Sequence, residues 1–430
     1  MYRKAVEYLK EWKLNPSRKP LIIRGARQVG KTWLMKEFAK KEYKKWVYIN
    51  FEDNELAKNV FEKDFDIKRI IMQLSIASST EIDSKTLLLF DELQEAPRGV
   101  TALKYFQEKA PEYSIIAAGS LLGITLHQGT SFPVGKVEFL DLAPLSFIEF
   151  LIAVGAKQLA EVLTVKDWSL IAPFHELLCQ HLRTYYFVGG MPGVVSDYVA
   201  NGSLTRIREI QKSILTTYDN DFSKHAPLAE VPRIRMVWKS IMAQLSKENK
   251  KFIFGLIKEG GRAKEFELAI EWLADAGLLY KVSRTKCGLM PLSAYEDFSA
   301  FKIFLVDVGL LCAMNNIPAT VLLQGSSLFT DYKGALTEQY VFQQIRSSVS
   351  SVYYWSADNS SGEIDFLVQL EDKIIPIEVK AEENLQAKSL KSFVKKYPAL
   401  HGIRTSMSHF REQDWMTNIP LYAIGVPGVL

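Results

Sequence analysis

The apolar run Leu21-Ile22-Ile23 is followed by the glycine-bearing stretch GARQVGKT (25–32). Next comes WLMKEFAKK, in which Leu34, Met35 and Phe38 fall on one helical face. The alternation continues down the chain. WVYINFED (46–53) alternates apolar and polar positions and ends in acids, and TLLLFDE (86–92) is a continuous apolar run closed by Asp91 and Glu92. VTALKYFQEKAPE has helical spacing, and YSIIAAGS (113–120) is apolar up to Ser120. Continuous apolar strands separated by helices predict an α/β unit over residues 1–150, with a parallel sheet covered on both faces.

Beyond residue 150 the pattern changes twice. FIEFLIAVGA, PFHELLCQHLRTYYFVGGMPGVV and SLTRIREIQKSILTTYDNDFSKH predict a helical region over 151–230, broken by Gly189, Gly190, Pro192 and Gly193 at a sharp turn or hinge. His175 and His181 are six residues apart, do not share a helical face and read as structural. From 231 to 328, Trp238, Ile241 and Leu245 make one helical stripe and Phe266, Ile270 and Leu273 a second. LLYKVSRTKCGLMPL then reads as strand, basic turn, strand, which is the outline of a winged helix. Residues 240–290 carry nine Lys/Arg against six Asp/Glu. Lys281, Arg284 and Lys286 in the ribbon suit a duplex DNA backbone, whereas Glu265, Glu267 and Glu271 on the second helix repel phosphates and suit packing against protein. Both readings stand.

Composition narrows the class. The 430 residues suit two to four domains, and the apolar and charged fractions are those of an ordinary globular chain. A net charge of +4 permits nucleic-acid binding without arguing for it. Cys179, Cys287 and Cys312 are isolated, which points to a reducing compartment rather than a disulfide framework. No apolar run approaches the roughly 18 residues of a membrane span. The amphipathic MYRKAVEYLKEW carries Glu7 and Glu11, unlike a signal peptide. The expectation is a cytoplasmic protein with no membrane contact, and self-assembly and an unknown protein partner are left open.

The chemistry concentrates in GARQVGKT. Gly25 and Gly30 allow a tight turn, so that the N–H groups of Ala26, Arg27, Gln28 and Val29 can point at an anion. Lys31 would bring a positive charge to the β- and γ-phosphates of ATP, Thr32 would ligate Mg²⁺, and the helix N-terminus adds a favourable dipole. Sixty residues after Lys31, Asp91 would share the metal and Glu92 would polarise the attacking water. Ser120, at another strand end, reads as a γ-phosphate sensor or as a turn former.

GARQVGKT, LLLFDELQEAP, AAGS and FLDLAPLSFIEFL together resemble the AAA+-type ATPase domain of a large prokaryotic family, itself similar to the archaeal ATPases and the STAND NTPases. The resemblance covers residues 18 to about 150. It implies ATP and Mg²⁺ as cofactors and the same roles for Lys31, Thr32, Asp91, Glu92 and Ser120. It also implies a lid over 151–230 that includes YFVGGMPGVV. Where relatives carry Gly-Arg before PLSF, this chain has Gly135-Lys136, so Arg98 and Arg183 stand as unranked candidates for an arginine finger. In the last hundred residues, GALTEQYVFQQI reads as a helix, YYWS as a strand and GEIDFLVQLEDKIIPIEVK as a hairpin. Asp365 lies on its first arm, and Glu378 and Lys380 share a face of the second, with Glu338 able to approach from the helix. Two carboxylates and a lysine suit Mg²⁺ and a phosphoryl transition state. This resembles the PD-(D/E)xK nuclease fold over 329–430, a C-terminal domain of unknown function in the same ATPase family. Two functions follow. In one, ATP cycling is coupled to a DNA-directed or nuclease-like module. In the other, an ATP-switched regulator or stress sensor does not cut.

Overall fold

Five segments of the first 143 residues pair as parallel strands: β1 (Leu21–Arg24), β2 (Trp46–Asn50), β3 (Leu87–Asp91), β4 (Ser114–Ala118) and β5 (Glu138–Asp141), in the order β2-β3-β4-β1-β5. These positions come from a computed structural model that describes residues 1–119, 135–245, 251–324, 330–349, 351–358, 362–382 and 387–430. The chain divides into two units. One is Arg3–Ala143 with Asp275–Leu278, and the other is Met1–Tyr2, Pro144–Ala274 and Leu279–Leu430.

In the first unit β3 and β4 are buried throughout, as their unbroken apolar runs require, while β2 alternates because it is an edge strand. Ile22, Leu88, Phe90, Ile115 and Ala117 pack on one face against Ile70 and Leu74 of α4 (Ile67–Ala77) and Val100, Leu103 and Phe106 of α5 (Pro97–Lys109); α3 is Glu55–Asn59. The other face is covered by α1 (Ala5–Leu14) and α2 (Lys31–Glu42), whose Leu9, Leu34, Met35 and Phe38 are buried. Each such side chain contributes about 1.5–3 kcal/mol relative to exposure. The strand β5 was not apparent from its pattern: EFLD is four residues long and only half-buried. The order sets β4 between β1 and β3, so three strand ends meet at one edge of the sheet.

The second unit begins with helices α6 (Phe147–Ala153), α7 (Lys157–Val165), α8 (Trp168–Ile171), α9 (His175–Val188), α10 (Pro192–Asn201), α11 (Leu204–His225), α12 (Val231–Leu245) and α13 (Ala263–Asp275). Trp238, Ile241 and Leu245 are buried on α12, and Phe266, Ile270 and Leu273 on α13, as their spacing requires. The Gly189-Gly190 turn is packed tight. A Cβ at Gly189 (φ 75°) would lie 2.1 Å from Asp307 Oδ1, and the buried Asp307 accepts the Gly190 N–H at 2.7 Å and the Leu310 N–H at 3.0 Å. Burial pushes the Asp307 carboxyl above its ordinary pKa.

An eight-stranded mixed sheet follows, in the order β12-β13-β11-β10-β9-β8-β6-β7. Its strands are β6 (Leu279–Thr285), β7 (Glu296–Leu305), β8 (Val352–Ser356), β9 (Glu363–Leu370), β10 (Lys373–Val379), β11 (Gly402–Ser406), β12 (Arg411–Gln413) and β13 (Met416–Pro420). The helices α14 (Val308–Met314), α15 (Ala319–Gln324), α16 (Thr330–Ile345) and α17 (Lys388–Lys396) complete the unit. GLMPL is not the return strand of the ribbon. Pro291 offers no N–H to a ladder, and the antiparallel return is β7, reached through a short 3₁₀ turn at Leu292–Tyr295. Because β6 also pairs in parallel with β8, the ribbon and the C-terminal strands share one sheet. The weakly patterned α16 is held by buried glutamines: Gln339 bonds the Leu305 N–H and carbonyl at 2.8 and 2.7 Å, and Gln343 accepts the Val308 N–H at 2.9 Å. Among the described residues no helix is long and apolar enough to cross a membrane.

Candidate functional site

The stretch 25–32 leaves β1 and enters α2, as a phosphate-binding loop requires. Gly25 (φ 144°) permits this. A Cβ there would sit 2.3 Å from the Leu142 carbonyl oxygen, so only glycine fits. Gly30 (φ 92°) forms the left-handed cap of α2, and Gln28 also has positive φ (68°). Ala26 and Val29 are buried, Arg27 is half-buried and Gln28 exposed. Two residues with no sequence signal hold the loop. Arg3 donates to the Val29 carbonyl at 3.0 Å and the Ala143 carbonyl at 2.6 Å, and a Cβ at Gly277 (φ 71°) would come within 3.1 Å of the Ala26 nitrogen.

Lys31 is 6% exposed, and its ammonium donates to the Gly25 and Ala26 carbonyls at 2.8 and 2.9 Å. Burial lowers its pKa to about 8, against the opposing pull of Glu92 and Asp91 and with a further push from Arg27. Among the described residues no carboxylate lies within 4.0 Å of it. Thr32 donates its hydroxyl to Asp91 Oδ2 at 2.7 Å, and Tyr48 donates to the same oxygen at 2.9 Å; Asp91 Oδ1 accepts the Glu92 N–H at 3.1 Å. Burial, then the Asp91 charge, pushes the Tyr48 phenol up. Tyr48 went unnoticed in the sequence because the alternation of β2 marks it only as half-buried. Glu92 sits in the left-handed region (φ 50°), with Oε2 accepting from Gln94 at 2.5 Å. A hydroxyl and a carboxylate converging as hard oxygen donors suit Mg²⁺, and a glycine-lined turn beside an under-neutralised ammonium suits phosphate.

The remaining candidates differ in their surroundings. Ser120 lies outside the described residues. Arg98 donates Nε to the Phe61 carbonyl at 2.9 Å and lies over the Phe65 ring, and Lys136 pairs with Glu108 at 3.2 Å. Arg183 is half-buried on α9 of the second unit.

In the second unit, Glu338 of α16 and Asp365 of β9 are brought together with Glu363 around a residue that the sequence did not single out, Lys302 of β7. Its fully buried ammonium contacts Glu363, lies 3.7 Å from Glu338 Oε2 and 4.0 Å from Asp365 Oδ1, and faces the Tyr354 ring at 4.9 Å. Burial works against its charge, but the three carboxylates win and raise its pKa. Asp365 Oδ2 accepts the Val379 N–H at 2.8 Å, and Lys380 pairs with Glu378 Oε1 at 2.7 Å. Among the described residues no group of three or more His, Cys, Asp or Glu has the geometry of a metal site. Arg284 of the ribbon is tied to Asp297, Asp358 and the Ser356 carbonyl, whereas Lys281 and Lys286 are exposed. His175 is buried, 3.1 Å from the Tyr422 hydroxyl and 3.6 Å from Cys179 Sγ, and stacks on His409.

Residues 17–151 match the family model described as an AAA domain, so this segment is an AAA-type P-loop domain. Residues 179–321 and 333–424 match two families described as domains of unknown function, DUF8612 and DUF4143. No curated protein matches the chain. Among solved structures the chain is similar to the Walker-type ATPase PABY2304 of Pyrococcus abyssi, at 15% identity over 73% of this chain and 95% of that one, with a TM-score of 0.47. It is also similar to the Aeropyrum pernix ORC1 protein, solved in complex with DNA, at 14% identity over 75% and 92% with a TM-score of 0.30. Cdc6p from Pyrobaculum aerophilum follows at 13% identity over 75% and 93%, with a TM-score of 0.27. At such scores these likenesses say nothing of what this chain binds.

Proposed function

We propose that this chain binds ATP with Mg²⁺, hydrolyses it, and uses the cycle to switch its C-terminal part. The observation that carries the reading is the convergence of Lys31, Thr32, Asp91 and Glu92 at neighbouring strand ends, beside a loop that only glycine can turn. The loop N–H groups from Gly25 to Gly30 cradle phosphate, and Lys31 exchanges two carbonyl partners for phosphate oxygens. Thr32 and Asp91 would hold Mg²⁺, which supplies charge neutralisation at the phosphates when bound. Glu92 orients and polarises the attacking water, and Ser120, two residues beyond β4, senses the γ-phosphate. The test is Mg²⁺-dependent phosphate release. Glu92→Gln should leave nucleotide binding intact and slow release by about 100-fold or more. No Mg²⁺-dependent release from the wild type under any condition, with ATP bound, would remove the enzymatic reading and leave a binding switch.

For the rest of the chain we propose a lid over 151–230, a winged helix over 231–328 that faces duplex DNA, and a nuclease-like domain over 329–430 built around Glu338, Asp365, Glu378 and Lys380. One observation favours a second reading, in which this last domain binds without cutting and serves a regulator. The Lys302 ammonium lies among the acids that a metal would need and already offsets their mutual repulsion. Titration of Mn²⁺ in the presence of a DNA duplex separates the two. Metal-dependent cleavage lost in Lys380→Ala supports the nuclease. No Mn²⁺ uptake by the wild type, with uptake gained in Lys302→Met, supports the binding module.

A further inference from the structure

A cleft of about 380 Å³ lies in the second unit, walled by the end of α9, the start of α11 and the loop between α14 and α15. It is far from featureless. Arg208 and Lys212 stand one helical turn apart on α11 and both line it, and no lining side chain is acidic. Among the described residues neither cation has a carboxylate within 4.0 Å. Arg208 is half-buried; its Nη2 donates to the Ile317 carbonyl at 2.7 Å, its Nη1 has no hydrogen-bond partner among the described residues, and its guanidinium carbon lies over the Phe187 ring at 4.5 Å. A cation partly removed from water without an opposing charge is unfavourable unless an anion joins it.

The remaining walls are largely apolar, formed by Phe187, Leu204, Ile317 and Pro318. They are also fixed. Gln211 donates to the Phe187 and Val188 carbonyls at 2.7 and 3.0 Å, which ties α11 to the end of α9, and the Arg208–Ile317 bond ties α11 to the third wall. An open cleft with largely apolar walls and two cations in its lining offers a small anion both charge and an apolar surface.

We propose that this cleft binds a small organic anion, with a carboxylate or phosphate group at Arg208 and Lys212 and a compact apolar body against Phe187 and Ile317. The planar guanidinium favours a bidentate oxyanion, and Lys212 supplies a second point charge. The site is independent of the nucleotide reading, because all its residues lie in the other unit.

The experiment uses the full chain and three probes, phenyl phosphate, phenylacetate and inorganic phosphate, titrated by calorimetry. At least one aromatic probe should saturate, inorganic phosphate should bind about tenfold or more weakly for lack of the apolar body, and the better aromatic probe identifies the headgroup. Arg208→Gln should weaken binding roughly 10- to 100-fold, the range for losing a charge-assisted hydrogen bond. Lys212 is exposed, so Lys212→Glu should leave the fold intact and still weaken binding about tenfold or more. The proposal is overturned if neither aromatic probe saturates the wild type, if binding is equal in Lys212→Glu, or if binding is lost in Lys31→Ala instead, which would assign the probe to the phosphate loop.

Discussion

If Lys31 holds the phosphates of ATP as proposed, its buried ammonium makes binding a proton-uptake reaction above neutral pH. With a folded pKa of about 8 against an ordinary 10.5, holding the charge without a phosphate costs about 3 kcal/mol, since each unit is 1.36 kcal/mol. The sign follows from the direction of the shift. Below pH 8 the lysine is charged in both folded and unfolded chains and the full penalty applies. Between pH 8 and 10.5 the unfolded chain binds more protons, so the stability of the ligand-free unit rises across that window. Phosphate beside the ammonium reverses the shift. At pH 8.5 about 0.8 of a proton should enter per ATP bound, because that fraction of Lys31 is neutral beforehand and charged afterwards. At that pH the terminal phosphate is already ionised and adds little. Calorimetry in buffers of different ionisation enthalpy reads the number directly, and affinity should fall progressively above pH 8. Heats that do not depend on buffer at pH 8.5, with ATP saturating the protein, would refute the account of Lys31.

Three further outcomes follow from the geometry. Gly277→Ala places a methyl 3.1 Å from the Ala26 nitrogen at a positive φ that costs an ordinary residue about 1–2 kcal/mol, so ATP affinity should drop about tenfold with the second unit unaffected in hydrogen exchange. Asp307→Ala leaves the Gly190 and Leu310 N–H groups unpaired in the core and should lower stability by about 2–5 kcal/mol, read as a loss in urea midpoint. If the ribbon binds duplex DNA, Lys281→Gln and Lys286→Gln should each flatten the log–log salt slope by about 0.9, while Arg284→Gln, already spent on Asp297 and Asp358, should not. Equal slopes for all four proteins would leave the ribbon as a packing element.

The phosphate loop was legible because its chemistry is local. Gly25, Gly30, Lys31 and Thr32 are fixed by one turn of chain, and Asp91 needs only to end a parallel strand on the same sheet edge. Strand order was not legible, since the apolar runs of β3 and β4 are interchangeable by pattern, yet it is the order that sets Ala118 between β1 and β3. Arg3 and Gly277 act on the loop, and Tyr48 on Asp91, through contacts between remote segments, and nothing in their local sequence marks them. Lys302 was hidden in AFKIFL (300–305), an apolar run interrupted by a single lysine. Only the register of the large sheet reveals that the charge meets Glu363, Asp365 and Glu338. GLMPL looked like the return arm of a ribbon because it is apolar, but its proline withdraws a donor that the ladder needs.

On the proposed reading, residues 25–32 hold ATP through Lys31. Calorimetric titration of Mg²⁺-ATP into the wild-type chain and into Lys31→Ala at pH 7.5 tests it most directly. Saturable one-site binding to the wild type and a loss of about 100-fold or more in Lys31→Ala are expected, since two charge-assisted bonds to phosphate disappear. Equal affinity in the two proteins would contradict that reading.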